Sequence, residues 1–370
     1  MKKKQIFSLV VVAAILGALV YFQFRSWRTF DWAKFRHYTG GVSLWHIGAG
    51  VGLIYLAYVM RAIRWAIFLK PTAPTSVRRL IAPQIIGFAA LGLFGRAGEF
   101  ARPYLIARKE KLTFTSQLAV WTVERFFDLG SVVVLMVGFF ALRGGMIAEV
   151  LLQAVRHGLH AAAQNAGHKL PLALAGLVVL AVLFFALKRA SGKMATALRV
   201  RLLSFKQGFN TIHDAKSFVQ LVVVSICMWL MIAGAYIQVL HAYPQIPVAV
   251  AGDPAGVQRV ARMNTMNLDD VLVVMGSSML GSVVQLPGGV GGSQLAVIGV
   301  LQSNLFSGEP YNNTRELAVS CGIMLWLVTF MSVIPAGVLL ARYEKISFAR
   351  LSEESTQEEE EVEAEEARTQ

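Results

Sequence analysis

The chain has 370 residues, 55% of them hydrophobic and only 15% charged, where an ordinary soluble domain carries about 25% charge. Its mean hydropathy is +0.55 and its apolar residues come in blocks, which excludes a soluble globular enzyme and identifies an integral membrane protein. The net charge of +13 is unevenly spread: residues 351–370 hold nine Glu and one Arg, leaving residues 1–350 with 34 basic and 13 acidic residues, a net +21.

A basic membrane body fits contact with anionic lipid headgroups, although the positive-inside rule alone explains much of the excess. No basic stripe stands outside the apolar segments, so a nucleic-acid partner is not expected. Cys227 and Cys321 each lie inside an apolar run. They form no disulfide framework and no metal-ligand pattern.

The apolar runs follow one another along the chain. Lys2, Lys3 and Lys4 precede a run over 6–22, which reads as a first span, with a signal peptide as the competing reading. A second run covers 42–60 and ends in "RAIRW" at 61–65. There Arg61 and Arg64 beside Trp65 read first as a membrane-interface anchor and second as a lipid contact. A third covers 81–107 and is interrupted at "GRAGEFARP". Residues 116–142 form a long helix with Glu124, Arg125 and Asp128 in its first half. Further spans are expected near 170–187, 217–241 and 315–341. The run at 269–306 is broken by "QLPGGVGGSQ" at 285–294.

Between these runs, 188–216 is basic, with apolar residues at helical spacing. It reads either as an amphipathic helix on the inner leaflet or as an ordinary basic loop. "HGLH" at 157–160 has no evident third ligand, so no metal is expected. Asp269 and Asp270 open the second broken run and read as helix N-capping residues.

The Lys/Arg distribution places the N-terminus, 61–80, 188–216 and 342–350 on the inner side. The expected fold is all-α and polytopic, with about six full spans, two re-entrant broken helices and both termini in the cytoplasm. Residues 1–350 form the membrane domain; residues 351–370 form a disordered acidic tail.

The two broken segments occupy corresponding places. Each is an apolar run, a Gly-rich break, a second short run and then a long span. Paired interruptions of this kind point to a transporter built from inverted repeats; a plain helical hairpin with a Gly-rich turn is the alternative. Arg96, Glu99 and Arg102 are spaced to share one helix face, as are Glu124 and Asp128. With Arg125, these six charges sum to zero. Unpaired at mid-bilayer, each costs about 2.5–3.5 kcal/mol, so they read as an internally neutralised polar site or as a structural ion-pair cluster. No nucleophile–base pair, Walker loop or dinucleotide fingerprint is present. No enzyme activity and no cofactor are therefore expected.

"GRAGEFAR" at 95–102, "VERFFD" at 123–128 and "LPGGVGG" at 286–292 together resemble the flippase-like integral membrane family, that of the transmembrane region of lysylphosphatidylglycerol synthases. The resemblance covers most of residues 1–350. It implies movement of an anionic or aminoacylated lipid between leaflets. The matching positions are Arg96, Gly98, Glu99 and Arg102 in the first motif, Glu124, Arg125 and Asp128 in the second, and Pro287, Gly288 and Gly291 in the third. Gln294 stands where many of that family carry Glu, which weighs against a proton- or cation-linked role there. No stretch of the sequence resembles the cytosolic aminoacyl-transferase part of the bifunctional members, so the resemblance is to the membrane half alone. The expected function is translocation of a phospholipid or other polar lipid across the cytoplasmic membrane. The alternatives are a membrane partner subunit that presents lipid to a separate enzyme, and an ion-coupled carrier of a small anion.

Overall fold

The computed structural model describes residues 31–142, 215–243, 263–264, 266–281, 292–302 and 315–347, with Leu351 and Gln357. The expected spans at 6–22 and 170–187, the basic stretch at 188–214, His157, His160 and His168, the turn residues Pro287, Gly288 and Gly291, and nearly all of the acidic tail lie outside them. The described residues are helical and contain no strand. In chain order the helices are α1 (Trp32–Gly40), α2 (Leu44–Leu69), α3 (Val77–Phe94), α4 (Ala101–Glu110), α5 (Phe114–Leu142), α6 (Ala215–His241), α7 (Leu268–Gly281), α8 (Gly292–Gln302), α9 (Arg315–Trp326) and α10 (Val333–Tyr343). A 3-10 turn, Gly95–Gly98, joins α3 towards α4, and a π-helical segment, Leu327–Met331, joins α9 to α10.

Among the described residues, four stretches are long and apolar enough to cross a membrane: Leu44–Leu69, Val77–Phe94, Lys216–His241 and Glu316–Tyr343. At 1.5 Å per residue the shortest, 18 residues, extends about 27 Å and the 26-residue α2 about 39 Å, against a hydrocarbon core of about 30 Å. Broken or not, the long helices pack side by side. Helices α2 and α6 run antiparallel. His46 Nδ1 lies 2.7 Å from Gln238 Oε1 at one end of the pair, and Arg64 Nη1 donates to Ser225 Oγ at 3.1 Å near the other.

Local sequence explains the breaks. Gly95 adopts φ +62°, a backbone that only glycine takes without strain. The chain then turns back so tightly that a Cβ on Gly98 would lie 2.2 Å from the carbonyl oxygen of Ala90, and one on Gly87 2.5 Å from Arg102 Cβ. Helices α3 and α4 thus form a close antiparallel hairpin. Arg96, Glu99 and Arg102 therefore do not share one helical face, contrary to their spacing. Residues 95–98 are 3-10, Glu99 and Phe100 form a turn, and α4 begins at Ala101.

Helices α7 and α8 form a second hairpin, with Ser278 Oγ 2.6 Å from Ser293 Oγ. The Asp270 carboxylate accepts from the Asn267 N–H at 3.2 Å, a capping contact three residues into α7. In the last span Pro335 has no N–H to offer the carbonyl four residues earlier, at Met331. The π-helical segment ends there, and the freed turn is held by Ser332 Oγ donating to Val328 O at 2.6 Å and Tyr55 OH donating to Ser332 O at 2.8 Å.

The hairpins open from opposite ends of the bundle. The start of α3 and the end of α4 meet through Arg79 and Glu110 at 3.0 Å, and Lys109 reaches Glu344 at the end of α10 at 2.5 Å. That end is basic, with Arg78, Arg108, Lys111, Arg342 and Lys345 near by in sequence. The segment leading into α7 instead lies by the C-terminus of α6: Asn264 donates to Tyr243 O, and His241 Nε2 is 3.3 Å from Met266 O.

Candidate functional site

Two carboxylates one turn apart on α5, Glu124 and Asp128, are the centre of a buried polar cluster. Glu124 is fully buried and Asp128 nearly so. Buried charge is tolerated only when paired and hydrogen-bonded, and the partners come from α5 itself and three other helices. Arg64 of α2 grips both acids, donating from Nη1 to Asp128 Oδ1 at 2.7 Å and from Nη2 to Glu124. Arg102 of α4 lies 2.5 Å from Glu124 Oε2 and also donates to Gln84 Oε1 at 3.2 Å. Arg125, on α5 itself, approaches Asp128 Oδ2 at 3.1 Å. Trp229 of α6 donates its indole N–H to Asp128 at 3.3 Å.

Arg61 is held differently. Its Nη1 lies 3.6 Å from Glu124 and 3.7 Å from Asp128, makes no hydrogen bond, and is buried. The guanidinium stacks 4.8 Å from the centroid of Phe88, whose ring also carries Arg102 at 5.0 Å. Two cations thus share one aromatic ring.

Four guanidiniums therefore surround two carboxylates, which corrects two expectations. Arg61 and Arg64 are not an interface anchor. A snorkelling side chain keeps its head in water, whereas Arg64 is 0% and Arg61 8% exposed. The neighbouring Trp65 also turns inward, to Gln117 Oε1 at 2.9 Å. Within 4 Å the two carboxylates thus meet four guanidiniums, while Glu99, partly exposed, makes no such ion pair among the described residues and acts on Arg125 only through its field. The backbone of Arg96 lies in the 3-10 turn; its side chain is outside the description. Gly98 is the close-contact residue of the first hairpin.

Arg61 faces a cavity of about 180 Å³. Its walls come from both hairpins: Phe88 of α3, Met275 and Ser278 of α7, and Ser293, Gln294 and Val297 of α8. The π-helical segment contributes Thr329 and Phe330, and α6 contributes Trp229 and Tyr236. Gln294 is thus brought to the same chamber as the charge cluster, though 170 residues separate it from Glu124. Arg102, Glu124 and Asp128 stand behind Arg61 rather than in the wall. Among the described residues no group of three or more His, Cys, Asp or Glu side chains could hold a metal ion.

Residues 5–337 match the family model described as the lysylphosphatidylglycerol synthase TM region. The chain belongs to this family. No curated protein and no solved structure matches it. As a member of the lysylphosphatidylglycerol synthase TM-region family, it is an all-helical, membrane-embedded protein. The buried Arg/Glu/Asp cluster lies wholly within the matched part.

Sequence reasoning missed Arg61, Arg64, Gln84 and Trp229 as parts of the cluster. A signal existed for the arginines. Two of them three residues apart, inside a 26-residue apolar helix, are ionisable residues at membrane depth, which mark a site by default.

Proposed function

We propose that this protein moves a polar lipid between the leaflets of the cytoplasmic membrane, making and breaking no covalent bond. The observation that carries the reading is Arg61, a buried guanidinium with an unbonded Nη1 at the wall of a cavity. Behind it stands a cluster in which arginines outnumber carboxylates. A phosphate meets a guanidinium fork with two hydrogen bonds, and a phospholipid headgroup brings such a phosphate into the chamber. At about 180 Å³ the chamber is somewhat larger than one that admits a benzene-sized molecule. The headgroup alone enters, and the acyl chains stay in the lipid.

The two hairpins, opening from opposite ends with the cavity between them, support a pair of re-entrant segments that alternately expose the site. The basic end formed by α3, α4 and α10 supports a cytoplasmic assignment for that face. The test is a liposome assay with fluorescently labelled phosphatidylglycerol, scoring the fraction shielded from a membrane-impermeant quencher. The wild-type protein accelerates exchange and Arg61→Ala abolishes it. Exchange at the wild-type rate in the variant sinks the reading.

A further inference from the structure

The basic end of the bundle, where α3 begins and α4 and α10 end, is tied together through two carboxylates. Glu110 accepts from Arg79 Nε at 3.0 Å and from Thr75 Oγ1 at 2.9 Å, and Glu344 lies 2.5 Å from Lys109 Nζ. Arg78, Lys111, Arg342 and Lys345 stand exposed around these pairs. Lys111 and Lys345 occupy equivalent places. Each follows a helix in the left-handed region, at φ +57°, and the next residue closes the helix end: Leu112 N–H donates to Ala107 O and Ile346 N–H to Ala341 O, both at 2.8 Å. Glycine is the unstrained residue at such a position, so each helix end carries a cation where the backbone favours glycine. The C-terminal dipoles of α4 and α10 each balance roughly half a unit of positive charge, which leaves roughly three of the four units for another anion.

The chain itself carries an anion to this place. Beyond α10 it returns to bury Leu351, 2% exposed, against the first hairpin, in one cluster with Ala341 and Leu105. That pins the start of residues 353–366, which hold nine Glu and, save Gln357, lie outside the described residues. Glu358 comes seven residues after Leu351. A flexible chain of that length spans about 15 Å on average and about 25 Å at most. So short a tether holds the carboxylates at an effective concentration on the order of millimolar, which sustains contacts that are individually weak.

We infer that residues 353–366 dock by charge on the face formed by Arg78, Lys111, Arg342 and Lys345, in competition with anionic lipid headgroups. At the proposed cytoplasmic end these cations are otherwise drawn to the anionic membrane surface. The acidic segment is a tethered counter-ion that frees the base of the first hairpin from that surface. Its contacts are exposed and bury no core, so the melting temperature does not report them. The inference stands on this face alone and is independent of lipid transport.

The test is zero-length carbodiimide cross-linking of the full-length protein in neutral detergent, read by mass spectrometry. The Lys109–Glu344 pair gives an internal reference. Glutamates of 353–366 are expected to form amides with Lys111 and Lys345. About 1 M NaCl, which cuts the Debye length to about 3 Å, removes these links. Arg78→Gln with Arg342→Gln, which leaves every reacting group in place and adds none, lowers their yield by about two- to fivefold or more. Glu358→Gln, Glu359→Gln, Glu360→Gln and Glu361→Gln together, which alter nothing before Leu351, lower the yield from the remaining glutamates likewise. In nanodiscs, replacing phosphatidylcholine by phosphatidylglycerol lowers it as well. The reference link without links from 353–366 overturns the inference, as does a yield that neither salt nor either set of variants changes. Links between isotope-labelled and unlabelled copies in a mixed sample assign the face to a second copy and also overturn it. A yield that phosphatidylglycerol leaves unchanged overturns the competition with lipid.

Discussion

Arg61 Nη1 stops 3.6 Å from Glu124 Oε1, while Arg64, one turn further along the same helix, bonds that carboxylate directly. The two arginines differ in what they hold. Arg64 closes a buried pair, and removing one partner of such a pair costs about 3–5 kcal/mol. Arg64→Ala is therefore expected to unfold the purified protein at a markedly lower temperature. Arg61→Ala, which breaks two long ion pairs and the stacking on Phe88 but no hydrogen bond, is expected to lower stability less than Arg64→Ala while removing lipid transfer. Thermal unfolding in detergent beside the liposome assay separates stability from transport; equal stability losses would contradict the distinction.

Glu124 and Glu99 were equally plausible members of the site by spacing, and the structure parts them. Glu124→Gln leaves several guanidiniums facing a neutral amide and is expected to destabilise by about 3 kcal/mol or more. Glu99→Gln, at a partly exposed turn, is expected to cost less than about 1 kcal/mol. Denaturation midpoints of the two variants measure this, and the reverse order would place Glu99 inside the cluster.

The first hairpin depends on two glycines. Gly98→Ala drives a methyl group to 2.2 Å from Ala90 O, and Gly87→Ala drives one to 2.5 Å from Arg102 Cβ. Neither obstacle is a flexible side-chain end. Overpacking of this kind costs about 1–3 kcal/mol or more, and at Gly87 it also pushes Arg102 away from Glu124. Gly52→Ala, on α2 with nothing within 4 Å, is the control, and it is expected to be neutral or to stabilise by up to about 1 kcal/mol. Melting temperatures of the three variants give the comparison.

Opposite entry of the hairpins is read by labelling. Gly98 has no room for a cysteine side chain, so Glu99→Cys reports the first break and Ser293→Cys, nearly isosteric, the second. In oriented vesicles, with Cys227 and Cys321 replaced by Ser, impermeant maleimide is expected to reach them from different sides. Labelling of both from one face only would refute the inverted arrangement.

Leu351 is 2% exposed and packs with Ile86, Ala90, Ala101 and Leu105 beneath the first hairpin. Nine Glu follow within the last twenty residues, a composition that forms no core. Truncation after residue 352 is expected to leave the melting temperature unchanged, whereas Leu351→Ala costs about 2–5 kcal/mol. A tail truncation that destabilises as much as Leu351→Ala would show the acidic segment packing on the body.

Periodicity and hydropathy made the helices legible: the expected runs at 42–60, 116–142, 217–241 and 315–341 appear as α2, α5, α6 and the α9–α10 stretch. The first break was legible because Gly95 interrupts an apolar run; the Gly-rich stretch of the second, at 286–291, lies outside the described residues. The partners across the bundle were not. Nothing local to "RAIRW" tells whether Arg64 faces lipid, water or a carboxylate sixty residues away; that depends on how α2 is rotated against α5. The charges of the two motifs alone sum to zero, and Arg61 and Arg64, which add two cations, lie outside both motifs. The π-helical segment was equally hidden, since Pro335 fixes which carbonyl is freed but not that the chain answers with a wider turn around a chamber.

The split origin of the cluster bears on how the chain is made. Helix α2 leaves the ribosome with Arg61 and Arg64, and their carboxylates follow sixty residues later. Arg61 and Arg64 lie in the last ten residues of the 26-residue α2, so each opposes insertion by less than the roughly 2.5–3.5 kcal/mol of a helix-centre charge. Until α5 is made, the two charges lack the carboxylates that meet them in the finished fold. A nascent chain that stalls before α5 carries an exposed pair of cations at membrane depth, a mark by which membrane proteases can tell an unfinished copy from a finished one.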